Sequence, residues 1–201
     1  MIEQGTEEWR QQRCGLATAS AFADILAKGK GDTRAAYMRR LVAERLIGRP
    51  LETFKNAHMD RGHEQEPLAR AAYEIETGHV VEASGFVRHP RLMAGCSPDG
   101  LVDMDGGTEI KSVIPTVQIA TILAGYYPLE HKPQIQGNLW ITGRQWWDFI
   151  SYCPDLPEHL QLYVYRVTPD HDYIGNLALE VARFLKEADE LYLSLTERKA
   201  A

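Results

Sequence analysis

Residues 95–111 read GCSPDGLVDMDGGTEIK. Asp99 follows a proline, and after a glycine-rich turn comes the triplet Glu109-Ile110-Lys111. Two carboxylates and a lysine in this order suit a magnesium-dependent phosphodiesterase site. Magnesium takes hard oxygen ligands, commonly one or two protein carboxylates completed by waters and phosphate oxygens. In phosphodiester hydrolysis such an ion activates water and neutralises charge on the leaving oxygen. On a strand, Glu109 and Lys111 share one face and Ile110 turns to the other. Beside a bound cation the Lys111 pKa falls, which suits it to orient or deprotonate the attacking water.

Asp99 joins that face only in one hairpin register. A two-residue Asp105-Gly106 turn opposes Glu109 to Val102 and sends Asp99 to the far face. A three-residue loop, Asp105-Gly106-Gly107, opposes Asp103 to Glu109 and Leu101 to Lys111 and brings Asp99 round. Three-residue hairpins use a left-handed position, for which glycine is suited. The expectation is therefore the odd loop, or a bend at Gly100. Taken alone, the triplet is more often a surface hairpin with solvated charges, because short motifs recur by chance. The flanking chain has to decide.

At 201 residues the chain is long enough for one domain with a sizeable core. A hydrophobic fraction of 44% and a charged fraction of 25% are those of an ordinary globular protein. No apolar run is long enough to cross a membrane, and the polar, acidic N-terminus does not read as a secretory signal. Cys14, Cys96 and Cys153 are scattered, as expected of reduced thiols rather than a disulfide frame or zinc site. The formal net charge of −6 means that any nucleic-acid surface must be a local patch. The histidines form no ligand pairs, and neither a GxSxG nor a P-loop pattern occurs.

In chain order, Thr6 caps a short helix over residues 6–13, and Thr18 or Ser20 caps another over 19–27 with Phe22, Ile25 and Leu26 inward. Residues 28–32 form a basic loop. A helix over 33–47 turns Tyr37, Leu41, Val42 and Leu46 inward and presents Arg34, Arg39, Arg40 and Arg45. Singly these arginines read as a solvated face; with Arg13, Lys28 and Lys30 they form the best basic cluster in the chain. Gly62 opens a helix to residue 77 with Leu68, Ala71, Ala72 and Ile75 as its apolar face. Glu64 and Glu66 in its first turn either favour the helix dipole or complete a metal site, and helix physics alone prefers the dipole. Loose strands cover 79–96, and the hairpin follows over 99–104 and 108–112. A connection over 113–128 holds a short apolar helical piece, and a helix runs over 130–142 with Pro133 in its first turn. Strands at 146–152 and 161–167 and a long C-terminal helix to 196 complete the chain. This order gives an α/β fold, a mixed β-sheet core flanked by helices and preceded by an N-terminal helical arm. The expected division is a single domain with an arm over 1–50, a core over 60–168 and a final helix over 170–198.

Five blocks in this order resemble the lambda exonuclease family of phage-type alkaline exonucleases, within the restriction-endonuclease-like PD-(D/E)xK fold. They are Trp9 with the run Arg13 to Ser20 (RCGLATAS), then Arg61 to Glu66 (RGHEQE), Cys96 to Gly100 (CSPDG), the triplet Glu109-Ile110-Lys111, and Pro133 to Gln136 (PQIQ). The resemblance implies that Asp99 and Glu109 hold metal with the Ile110 carbonyl, that Lys111 acts on water, and that Glu66 joins the cluster. Gln134 matches the glutamine beside the site. Arg13, Thr18, Ser20 and Ser97 match positions that grip a 5′-terminal phosphate, for which a guanidinium fork, hydroxyls and helix N-terminal donors suit. Lys30 falls where a basic residue enters the groove. Met59 falls where an apolar wedge parts the duplex end, with a buried core methionine as the equal alternative.

By the same resemblance the chain is expected to use magnesium, with manganese able to replace it, at two ions per site. It is expected to digest one strand of linear double-stranded DNA from a 5′-phosphorylated end to mononucleotides. It would do so as a ring-shaped homotrimer serving a single-strand annealing protein in phage-type recombination. Its location would be the cytoplasm of a bacterial host of a phage or prophage. Residues 113–128 do not follow the family's pattern, and Lys30 stands where an arginine is expected. A structure-selective endonuclease of the same fold and a DNA-end binding module that does not cut are the alternatives. The intact Glu66, Asp99, Glu109 and Lys111 set speak against the module, and the phosphate grip speaks against the endonuclease.

Overall fold

The computed structural model describes residues 2–27, 32–51 and 57–198, without the side chains of 57–60 and 63. Lys28, Lys30 and the side chain of Met59 lie outside what is described. The elements are α1 (Glu7–Arg13), β1 (Ala17–Thr18), a 3-10 turn (Ala19–Ala21), α2 (Phe22–Leu26), α3 (Thr33–Ile47) and α4 (Ala57–Thr77). Next come β2 (Val81–Glu82), β3 (Val87–Arg88), β4 (Ala94–Cys96), β5 (Gly100–Val102) and β6 (Gly106–Ser112). The chain ends with α5 (Pro115–Ala124), a 3-10 turn (Leu129–His131), α6 (Lys132–Thr142), β7 (Trp146–Tyr152), α7 (Glu158–Gln161), β8 (Leu162–Val167) and α8 (His171–Thr196).

The main sheet has five strands in the order β2-β5-β6-β7-β8. Only β6 and β7 run parallel. A parallel pair needs a long crossover, and α5 and α6 supply it. The pleat then sorts the strand residues. Ile110, Ile150 and Val164 share the face on which Ala69 and Tyr73 of α4 pack. Phe149, Tyr165 and Val167 pack with Ile135 and Leu139 of α6 on the other. A smaller sheet, β1-β4-β3, lies beside it. The expected mixed sheet between helices is thus the observed one. α8 turns Leu177, Val181, Phe184, Leu185 and Ala188 into a cluster with Phe22, Ile25, Leu41 and Val42, so α2 and α3 pack on the C-terminal helix.

The hairpin departs from the expected register while keeping the expected face. Gly100 pairs with Thr108 and Val102 with Gly106, so the three-residue loop is Asp103-Met104-Asp105. Asp103, at φ 48°, takes the left-handed position. The register shift is four residues, an even number, so continuing the ladder brings Asp99 opposite Glu109 as required. Arg144 fixes the loop by donating Nη1 hydrogen bonds to the carbonyls of Val102, Asp103 and Gly106 at 3.1, 3.0 and 2.6 Å.

Gly106 and Gly107 are strand residues kept bare by indoles. A Cβ at Gly106 would lie 2.0 Å from the Trp146 ring, and one at Gly107 would lie 2.4 Å from that of Trp147.

Other expectations are corrected. α4 begins at Ala57, ahead of Gly62. It buries Ala69 and Tyr73, while Leu68 is 55% and Ile75 86% exposed. Leu46 of α3 is exposed as well. The expected helix over 19–27 is a 3-10 turn followed by a five-residue helix, with no side-chain cap from Thr18. The basic face of α3 is neutralised. Arg34 pairs with Glu187 at 2.7 Å and Arg45 with Asp189 at 2.6 Å, both on α8. Arg40 pairs with Glu44 at 3.3 Å, and Arg39 with Asp32.

The two explanations for Gly107 predict opposite signs for Gly107→Ala. Chain entropy alone would make alanine stabilising by about 0.5–1 kcal/mol in a strand. Contact with the fully buried Trp147 makes it destabilising by about 1–3 kcal/mol. Urea unfolding is expected to give the second result.

Candidate active site

β6 carries the site because it is paired on both edges only as far as its middle. β5 begins at Gly100, opposite Thr108, so beyond that point the β5-side edge of β6 has no strand partner among the described residues. Asp99 fills the gap: its Oδ2 accepts the Ile110 N–H at 2.6 Å. In a pleated strand the N–H and C=O of one residue leave the same edge. The Ile110 carbonyl therefore also leaves β6 on the Asp99 side. Gly100 closes the approach, since a Cβ there would lie 2.1 Å from Val81.

Glu109 is 1% exposed, and its carboxylate is held from three sides. Oε1 accepts from Lys111 Nζ and from Gln134 Nε2, both at 2.6 Å. Oε2 accepts from Asn138 Nδ2 at 3.1 Å. Gln134 Oε1 in turn accepts from Lys111 Nζ at 3.4 Å. Gln134 and Asn138 sit one turn apart on α6, which is why α6 must cross this face. Asn138 was not foreseen from sequence. Its signal was there, a polar residue four positions after Gln134 between the buried Ile135 and Leu139.

From the other face, Glu66 of α4 is paired by Arg70, whose Nη2 lies 3.2 Å from Glu66 Oε1 and 2.8 Å from the Asp99 carbonyl oxygen. Arg70 too was missed, although its i, i+4 spacing from Glu66 was visible. Glu64 is exposed and does not line the cavity.

Apart from Arg70 and Glu64, these groups open on one cavity of about 260 Å³. Its lining includes Glu66, Asp99, Glu109, Ile110, Lys111, Gln134 and Asn138, and also Arg13, Thr18, Ser20 and Ser97. The structure thus brings together every expected site residue whose side chain it describes. The Arg13 guanidinium lies 4.0 Å over the Trp9 ring. Trp9 donates its indole N–H to Ser97 Oγ at 3.0 Å, leaving the Ser97 proton free to turn to a ligand. The Thr18 and Ser20 hydroxyls lie 3.2 Å apart, and no cap hydrogen bond uses the Thr18 hydroxyl. The Thr18 N–H is taken by Tyr37. Gln4 also lines the cavity and donates to the Pro98 carbonyl at 2.6 Å.

Burial, then Glu109 and Glu66, push the Asp99 pKa well above the usual carboxylate range, against the pull of Lys111 and the Ile110 N–H. Burial works against the Lys111 ammonium, but Glu109, Asp99 and Glu66 outweigh it and raise its pKa. The lowered Lys111 pKa expected beside a cation is therefore not produced by the protein groups alone. Among the described residues, no three carboxylate, histidine or cysteine side chains are gathered as a metal-holding group.

His131 stacks on Phe149 with ring centres 5.4 Å apart, and burial with the Lys111 charge lowers its pKa to about 4. Its folded value lies below the unfolded value of about 6.5. The stability tied to its neutral ring is therefore present above pH 6.5 and is lost as pH falls toward 4. An NMR titration is expected to find the His131 midpoint near 4, and His131→Gln should flatten the stability profile across that window.

The sequence matches the YqaJ-like viral recombinase domain family over residues 8–145. An alkaline exonuclease, LHK-Exo, from Laribacter hongkongensis is 41% identical; the match covers 95% of this chain and 96% of that one with a TM-score of 0.88. The same exonuclease in complex with dAMP matches at a TM-score of 0.89, with 41% identity over 94% of this chain and 96% of that one. A phage-related exonuclease from Haemophilus somnus 129PT shares the fold at a TM-score of 0.68, with 14% identity over 90% of this chain and 96% of that one. Curated proteins provide no match. The agreement runs through both the α/β core and the helices around it, as the resemblance to the lambda exonuclease family implied, and the chain belongs to the YqaJ-like viral recombinase family.

Proposed function

We propose that the protein is a magnesium-dependent 5′-to-3′ exonuclease that removes mononucleotides from one strand of linear double-stranded DNA bearing a 5′-phosphate. The observation that carries this reading is one cavity shared by Asp99, Glu109, Lys111 and Glu66 with Arg13, Thr18, Ser20 and Ser97. A cluster of carboxylates around a lysine suits hydrolysis of a phosphodiester. A cation and hydroxyls at the same cavity suit an anchored terminal phosphate, for which an endonuclease has no use. That the related alkaline exonuclease has been captured with dAMP supports a mononucleotide product.

The donor set fits magnesium. Such an ion is usually held by one or two carboxylates, with water and substrate phosphate completing an octahedron, so a three-side-chain cage is not required. A carboxylate offers about four acceptor positions. Among the described residues, Glu109 has three of them taken, while Asp99 and Glu66 accept at one oxygen each. Asp99, Glu109 and the Ile110 carbonyl would hold one ion, with Glu66 joining for a second; manganese has the same ligand preference. When bound, the metal would supply charge neutralisation and an acidified water.

The remaining work falls to the chain. Lys111, anchored between Glu109 and Gln134, orients the attacking water and, as the neutral amine that a bound cation would favour, takes the water's proton. Gln134 and Asn138 keep Glu109 from swinging away. Arg13, Thr18, Ser20 and Ser97 grip the terminal phosphate and set which bond lies over Asp99. Within this reading Met59 would part the duplex end and Lys30 would enter the groove. We further place the enzyme in phage-type recombination in the bacterial cytoplasm, as a homotrimer that hands the exposed strand to a single-strand annealing protein. Of the membrane, the structure says only that no described helix is long and apolar enough to cross one.

Lys111→Ala is expected to lower release of mononucleotides from linear 5′-phosphorylated duplex by about 10²–10⁴-fold. Arg13→Ala is expected to weaken use of the phosphorylated end by about 10–100-fold, the worth of a charged hydrogen bond, and to erase the preference over 5′-hydroxyl ends. Acid-soluble nucleotide release measures both. Cutting of covalently closed circles would move the reading to an endonuclease, and tight end binding without cutting in magnesium or manganese would leave a binding module.

A further inference from the structure

We propose that Arg70 is a positioning residue of the cleavage site, holding the Glu66 carboxylate and the Asp99 peptide in one fixed relation. The inference rests on the nuclease reading above and extends it to a residue that neither the motifs nor the family resemblance single out.

Glu66 and Arg70 stand at i and i+4 on α4, and such pairs on an exposed helix contribute little. This pair differs because the same Nη2 that meets Glu66 Oε1 at 3.2 Å also donates to the Asp99 carbonyl at 2.8 Å, from 29 residues further along the chain. A main-chain carbonyl cannot rotate away. The guanidinium is therefore located by the Asp99 peptide, and Glu66 is located by the guanidinium. Asp99 is itself held through the preceding peptide and through its side chain. Gln4 Nε2 donates to the Pro98 carbonyl at 2.6 Å, and the Asp99 side chain takes the Ile110 N–H at 2.6 Å. Arg70 thus ties α4, packed on one face of the sheet, to the β5–β6 junction.

A buried donor on the same side chain supports the same role. Arg70 Nε is buried and has no hydrogen-bond partner among the described residues. Stranding a donor costs free energy, so stability alone does not account for a guanidinium here. A lysine would give a charge on a freely rotating ammonium, whereas the two N–H directions of the planar Nη2 group are fixed.

The experiment compares wild type with Arg70→Gln, Arg70→Lys and Arg70→Ala in the full chain. Calorimetric titration with Mg²⁺ in the absence of DNA is read beside kcat and KM on 5′-phosphorylated duplex, unfolding in urea, and restoration of Arg70→Ala by guanidinium ion. Arg70→Gln is expected to weaken Mg²⁺ binding and lower kcat by about 10–100-fold, the usual effect of losing a residue that orients a ligand. KM for DNA should stay within about twofold, because the interaction acts on the reacting centre and not on the duplex. Arg70→Lys should recover part of the loss, and guanidinium should partly restore Arg70→Ala. Unchanged Mg²⁺ affinity and kcat in a normally active background would overturn this inference alone, as would losses that merely track stability without rescue. A wild type that neither binds Mg²⁺ nor cuts would overturn the functional reading and this inference with it.

Discussion

A carboxylate carried into the interior on a central strand governs much of this architecture. Glu109 is 1% exposed, and a buried charge costs several kcal/mol unless donors surround it. Lys111, Gln134 and Asn138 are those donors. Two of them come from α6, so α6 must lie across this face of the sheet with its amide-bearing stripe inward. That placement requires the crossover between the parallel strands β6 and β7. The requirement also explains why α6 buries Gln136 and Asn138 among Ile135, Leu139 and Ile141. Gln136 closes the far side by donating to the Thr168 carbonyl and accepting the Asp170 N–H, just before α8 begins.

The opposite face is set by α4 in the same way. Tyr73 donates to the buried Asp148 at 2.7 Å, and Arg166 meets that carboxylate with two hydrogen bonds of 2.8 Å. Glu66, Ala69, Arg70 and Tyr73 follow the i, i+3, i+4, i+7 rhythm of one helix face. The inner stripe of α4 therefore runs from packing at Tyr73 to chemistry at Glu66. The two helices approach the end of β5 from opposite sides of the sheet, and the cavity lies where they and β6 meet. The short run from Trp9 to Ser20 closes it with a guanidinium and hydroxyls. One cavity then combines acids, which suit a cation, with groups that suit an anion.

Where local chemistry and burial agree, the sequence was legible. The bounds of α3 and β7 follow directly from periodicity. Glu109 and Lys111 on one strand face, and Asp99 beside them, follow from the alternation of the pleat. Legibility failed where function or packing replaced hydrophobicity. Leu68 and Ile75 are the obvious apolar residues of α4, yet the inner face belongs to Glu66 and Arg70, so a search for greasy positions turned the helix the wrong way. The two glycines of the hairpin looked like turn residues and are spaces for Trp146 and Trp147, a long-range cause invisible in a local window. The arginines of α3 read as part of the best basic cluster in the chain because the partners of Arg34 and Arg45, Glu187 and Asp189, stand on α8 at the far end of the chain.

The most direct test of the account is a crystal structure with a short 5′-phosphorylated duplex and Mn²⁺, located by its anomalous signal. A terminal phosphate is expected on Arg13, Thr18, Ser20 and Ser97 and a metal on Asp99, Glu109 and the Ile110 carbonyl, in the same cavity and joined by the first nucleotide. A metal held elsewhere, or a terminal phosphate bound away from Arg13, would contradict it.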